Sequence, residues 1–197
     1  MTADVLLAMA TFAFVAASTP GPNNIMLLAS GVNFGFSRTL PHMFGILFGF
    51  AVLMSAVGIG LGVLFKTFPA LHTVLKFAGA GYLVWLAWRI ATSRSMGSAT
   101  SKGRPMSMLE AALFQWVNPK GWTMAITAMA VYTQVDKPLA SAAIIVAVFS
   151  AITLPSVMMW TAFGTGLRGI LSDPVRLKWF NIAMGAALVA SVVPMLV

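Results

Sequence analysis

The chain has 197 residues, of which 59% are hydrophobic and only 8% charged. Soluble domains average about 25% charged residues, so this composition excludes an ordinary cytosolic enzyme, a disordered tail and a soluble nucleic-acid binder. Twelve Lys and Arg against four Asp and Glu leave a net charge of +8, an excess that membrane proteins collect in cytoplasmic loops, and with no cysteine there are no disulfides, thiolate metal sites or thiol nucleophiles.

Val5 to Ser37 carries no charge over 33 residues. As one straight helix it would reach about 50 Å, against a hydrocarbon core of about 30 Å. It must break, and Pro20-Gly21-Pro22 marks the place. Met43 to Phe65 is a clean second span of 23 uncharged residues. A third runs from Thr73 to Ala91, with Lys76 and Arg89 near its ends, where both can snorkel to headgroups. The serine-rich stretch Thr92 to Ser107 reads as a linker. A fourth span, Met106 to Tyr132, has Lys120 deep inside it. Pro138 to Leu167 is the fifth and Trp179 to Val197 the sixth. The N-terminus has Asp4 and no basic residue, unlike a cleavable signal, so the first segment is expected to be retained.

With six spans, the side that carries both termini holds Lys66, Lys76 and Lys137. The other holds Arg38, Arg89, Arg94, Lys102, Arg104, Arg168, Arg176 and Lys178. Three against eight puts both termini in the periplasm by the positive-inside rule.

The two halves echo each other. Pro20 and Pro119 lie 99 positions apart. Pro41 and Pro138, each expected to open the next helix, lie 97 apart, and Leu75-Lys76-Phe77 precedes Leu177-Lys178-Trp179 by 102. A repeat of three spans must insert upside-down relative to its partner. The expected fold is therefore an all-α membrane protein, six transmembrane helices in a 3+3 inverted repeat with helices 1 and 4 broken. Residues 1–91 form the first repeat, 92–107 a cytoplasmic linker and 108–197 the second. Matching discontinuous helices are a mark of secondary transporters.

The chemistry collects at the breaks. Pro20 and Pro22 each lack an N–H and disfavour the helix, and Gly21 removes what preference remains. Carbonyls freed there must meet protein, water or a ligand, because lipid offers no donor. Asn23 and Asn24 add amides at that depth, and Asn118, Pro119 and Lys120 supply a second break, an amide and a cation. A half-helix restarting after each break presents its N-terminal N–H groups to the gap, where a carboxylate is favoured. These eight residues are the expected substrate-binding set, suited to a small zwitterion. Lys120 is the most telling, since a charge at the helix centre costs about 2.5–3.5 kcal/mol on insertion scales. Glu110, about 15 Å earlier along the same helix, is not aligned to pair with it. Glu110 is the default proton carrier if transport is proton-coupled, and His42 can also titrate. Gly45/Gly49 and Gly58/Gly62 have the spacing of close helix packing and offer faces for a homo-oligomer. No metal cluster, cofactor loop or catalytic arrangement is legible, so neither an enzyme nor a cofactor is expected. A non-transporting scaffold or accessory subunit is the rival reading, but it has no use for Lys120 or the paired breaks.

Ser18-Thr19-Pro20-Gly21-Pro22-Asn23-Asn24, Asn118-Pro119-Lys120 and the run Gly79 to Trp88 together resemble the LysE/RhtB family of bacterial amino-acid exporters, over essentially the whole chain. The Pro-Gly-Pro-Asn-Asn form and the run Trp85 to Ser93 are most similar to the branch that exports cysteine and O-acetylserine. The resemblance implies efflux of small neutral amino acids or derivatives, of that kind or homoserine- and threonine-like, across the inner membrane by proton antiport. Helix two lacks the acidic residue expected where the cargo is cationic.

Overall fold

The computed structural model describes residues 1–61, 69–94, 96 and 103–193. Lys66, residues 95 and 97–102 of the 92–107 linker, Lys102 among them, and the ends of the second and sixth expected spans lie outside them. Helix α1 (Ala3–Ser18) carries Asp4 in its first turn, where a carboxylate complements the helix dipole. It stops where the proline stereochemistry demands. Thr19 (φ −63°, ψ 135°) and Gly21 (φ −168°, ψ 179°) are extended, and α2 (Pro22–Phe34) restarts with Pro22 at its first position, bent by 55° from α1. A proline there forfeits no hydrogen bond, because first-turn N–H groups have no intrahelical acceptor. From Asn24 to Asn33, α2 is buried throughout.

Gly35 ends α2 at φ +84°, a left-handed conformation that glycine adopts without strain. That sharp turn lets α3 (Phe36–Ala56) begin at once. Pro41 therefore does not open this helix, as its spacing had suggested, but lies inside it. The carbonyl it leaves without a helical donor is that of Ser37, which is exposed near the helix start. A π-helical turn, Val57–Leu61, continues α3.

Helix α4 spans Pro69–Ala91. Helix α5 (Met108–Phe114) opens with a capping box, in which Ser107 and Glu110 each accept the other's backbone N–H. One 3-10 turn, Gln115–Val117, leads to extended Asn118, and α6 (Pro119–Tyr132) restarts with Pro119 at its first position. The fourth expected span is thus broken like the first, and Pro22 and Pro119 each hold the first position of the restarting helix. Helix α7 (Pro138–Gly166) is uninterrupted despite Pro155. Helix α8 begins at Pro174, earlier than the hydropathy suggested, because the Asp173 side chain accepts from the N–H groups of Val175 and Arg176.

The described residues are all-α. Phe36–Leu61 and Pro138–Gly166 are each long and apolar enough to cross a membrane, and the bent pair α1 and α2 makes a third such unit. The main contacts are α2 with α7, α3 with α5, α4 with α8, and α1 and α3 with α7. Glycines set the closest of these. A Cβ on Gly31 would lie 2.4 Å from the Thr161 carbonyl, and one on Gly164 2.2 Å from that of Leu28. Gly45 and Gly49 face α5 just as tightly, 2.3 Å from the Met108 carbonyl and 2.5 Å from the Ala112 Cα. That glycine face is consumed within the chain and is not free to join a second copy.

Candidate functional site: the meeting of two helix breaks

The breaks come together. Asn23 donates to Gln115 Oε1 at 2.8 Å and Gln115 Nε2 donates back to Asn23 Oδ1 at 3.2 Å, a reciprocal amide pair between α2 and the 3-10 turn after α5. Lys120 Nζ donates to the Thr19 carbonyl at 2.5 Å. Between them lies a cavity of about 40 Å3, lined by Gly21, Asn23 and Asn24 from the first break, Gln115, Asn118, Lys120 and Gly121 from the second, and Thr153 and Ser156 from α7.

Two of the freed carbonyls can be followed to their partners. The Ala17 carbonyl at the end of α1 accepts from Asn24 Nδ2 at 2.8 Å and from Ser156 Oγ at 2.9 Å. The Thr19 carbonyl accepts from Asn24 Nδ2 at 2.8 Å as well as from Lys120. Asn24 thus closes the first break, and Lys120 ties it to the second. The first-turn N–H groups of Asn23 and Asn24 in α2, and of Lys120 and Gly121 in α6, have no intrahelical acceptor. Two positive helix ends and one ammonium therefore meet at the cavity.

Acceptors are present too. Asn118 is 2% exposed; its Nδ2 donates to Gln115 Oε1 at 3.3 Å, but its Oδ1 is buried with no partner. Thr153 Oγ1 is likewise buried and unpaired. Unpaired buried polar atoms cost about 1–3 kcal/mol each, which a water or a guest in the cavity can offset. Donors and open acceptors in one cavity suit the carboxylate and ammonium of a small zwitterion. At its present volume the cavity has room for only a few waters.

Of the residues expected here, Gly21, Asn23, Asn24, Asn118 and Lys120 line the cavity. Pro20, which is exposed, and Pro22 and Pro119 do not line it; they set the backbone that shapes it. Glu110 and His42 lie elsewhere. Glu110 accepts a two-pronged bond from Arg104, at 2.6 Å to each oxygen, and caps α5. His42 is 1% exposed, and neither ring nitrogen has a partner. Gln115, Thr153 and Ser156 were not anticipated. The one signal in the sequence was an amide or hydroxyl inside an otherwise mostly apolar run.

The model of the LysE type translocator family matches residues 14–195. The cysteine/O-acetylserine efflux proteins of Escherichia coli strain K12, Escherichia coli O9:H4 strain HS and Shigella sonnei strain Ss046 are each 35% identical to the chain over 135 residues, 67% of this chain and 67% of theirs. No solved structure matches it.

Proposed function

Because this chain belongs to the LysE-type translocator family, we propose that its cargo is a small neutral amino acid or derivative of the cysteine and O-acetylserine kind, exported across the bacterial inner membrane in exchange for protons. The observation that carries the substrate reading is the convergence of both helix breaks on one cavity. There Lys120 and the first-turn N–H groups receive the carboxylate, and Asn118 Oδ1 and Thr153 Oγ1 receive the ammonium. Lys120 rests on the Thr19 carbonyl, and the Asn23–Gln115 pair holds the breaks together. Substrate carboxylate competes for the ammonium, and parting of the amide pair opens the cavity to one side.

Six spans in an inverted 3+3 repeat accommodate this. Such a repeat would pair α1 with α5, α2 with α6, α3 with α7 and α4 with α8. Under that mapping the α3–α5 and α1–α7 contacts are equivalents, and the α3–α7 and α4–α8 contacts are their own mates, which supports the reading. The charge asymmetry favours periplasmic termini.

For the proton, the geometry favours His42 over Glu110. Glu110 is committed to Arg104 and to the cap of α5, whereas both ring nitrogens of His42 are open. The charged groups around His42 are Glu110 on α5, Arg104 before it, and Arg89 and Arg94 at the end of α4.

The test is efflux from proteoliposomes loaded with labelled cysteine or O-acetyl-L-serine, with and without an imposed pH gradient, acid on the receiving side. Gradient-stimulated efflux is expected. Loss of label no faster than from protein-free liposomes would overturn the assignment.

A further inference from the structure

A second cavity lies along the same two helices, on the far side of an apolar layer formed by Leu27, Met43, Ile46, Ala111 and Val157. Where the first cavity meets α2 at Asn23 and Asn24 and α3 at Ile46 and Phe50, the second meets α2 from Met26 to Phe34 and α3 at His42. It encloses about 390 Å3, within the range of small-molecule sites, about 300–1,000 Å3.

Its wall is built. Asn33 and Asn181 exchange amide bonds of 2.8 and 3.2 Å, and Asn181 also donates to the Ser93 carbonyl at 3.1 Å, which locks α2, the end of α4 and α8 together. Ser30 and Thr39 share a hydroxyl bond of 2.9 Å. These groups are satisfied, but His42 is not. It lines the cavity almost fully buried, with both nitrogens unpaired. At the rim, the Arg89 guanidinium stacks 4.9 Å from the Trp85 ring, and Arg94 donates to the carbonyls of Ala91 and Ser93. Neither arrangement neutralises its charge. Among the described residues the nearby carboxylate, Glu110, is already paired with Arg104. The result is a cavity with two uncompensated guanidiniums at its mouth and an open imidazole in its wall.

We propose that this vestibule is a second binding site, separate from the cavity at the breaks, which takes a small amino acid through its carboxylate on Arg89 and Arg94 with His42 meeting its polar groups. The choice of an amino acid rests on the function proposed above; the preference for an anion rests on this geometry alone.

The chain has no cysteine, so Ala29, which lines the vestibule, can be replaced as Ala29→Cys, with Thr92→Cys, on the same cavity, as a second reporter. Each is labelled in inverted membrane vesicles with methanethiosulfonates bearing either a sulfonate or a trimethylammonium group. Every rate is divided by that reagent's rate with a free thiol. The sulfonate reagent is expected to be about tenfold favoured, and Arg89→Gln with Arg94→Gln to abolish the preference. O-acetyl-L-serine is expected to slow labelling, and to do so equally in a Lys120→Met background. No labelling at either position, no charge preference, or no protection would overturn the proposal. So would protection that vanishes with Lys120→Met, because the cavity at the breaks would then be the site responsible. Protection that persists while neither cysteine nor O-acetylserine is exported would keep this site and remove the transport assignment.

Discussion

Lys120 Nζ donates to the carbonyl of Thr19, a residue 101 positions earlier, at 2.5 Å. One bond therefore joins the second helix break to the first and gives a half-buried ammonium a carbonyl where, among the described residues, no carboxylate is at hand. It also makes Gly21 a fitted neighbour, since a Cβ there would lie 2.9 Å from Lys120 Cδ.

Lys120→Met keeps most of the stem and deletes the charge. Membrane insertion is expected to be unchanged or better, since the charge costs about 2.5–3.5 kcal/mol, while efflux of carboxylate-bearing substrates falls at least about tenfold. Lys120→Arg is also expected to fail, because a planar guanidinium does not fit where a compact ammonium sits. Wild-type efflux from properly inserted Lys120→Met protein would show that the residue merely snorkels.

The Asn23–Gln115 pair is expected to show coupling. Asn23→Ala and Gln115→Ala should each lower the melting temperature in detergent. The double variant should lose less than the sum, by about 1 kcal/mol. Strict additivity would mean that the two amides do not hold the breaks together.

Gly31→Ala and Gly164→Ala both push a methyl into the backbone of the facing helix. Each should destabilise by about 1–3 kcal/mol or more, as overpacking does. Gly166→Ala, on the same helix as Gly164 with nothing within 4 Å of the added carbon, is the control and should melt like the wild type.

Proton coupling separates two residues. His42→Asn is expected to lose the stimulation of efflux by an imposed pH gradient while retaining substrate exchange at equal pH. Glu110→Gln is expected to keep the stimulation, and its lost ion pair with the exposed Arg104 should cost no more than about 1 kcal/mol. Efflux measured against gradient size in both variants decides, and the reverse pattern would hand the proton to Glu110.

Orientation can be read from two loops. Val135 is 97% exposed and lies between α6 and α7. With periplasmic termini, Val135→Cys should react with an impermeant thiol reagent applied to intact cells, and Ser172→Cys, between α7 and α8, should not. The opposite result would invert the topology.

The sequence by itself determined where the helices break. Proline withdraws an N–H and restricts the residue before it whatever surrounds it, so Pro20, Pro22 and Pro119 wrote the interruptions locally, and the uncharged runs wrote the apolar helices. It also gave Lys120 its prominence, because a charge in such a run stands out without any knowledge of the fold. What the tertiary structure alone decided is which side chains meet. Gln115 faces Asn23 from 92 positions away and Ser156 reaches the Ala17 carbonyl from 139. Pro41 falls inside α3 because Gly35 turns the chain earlier. Glu110 belongs to Arg104, and His42 to a cavity, through the way α3, α5 and the end of α4 pack. Such meetings depend on the rotation and crossing of helices about their axes, set by close glycine contacts such as Gly31 with Thr161. Local hydropathy carries no record of either.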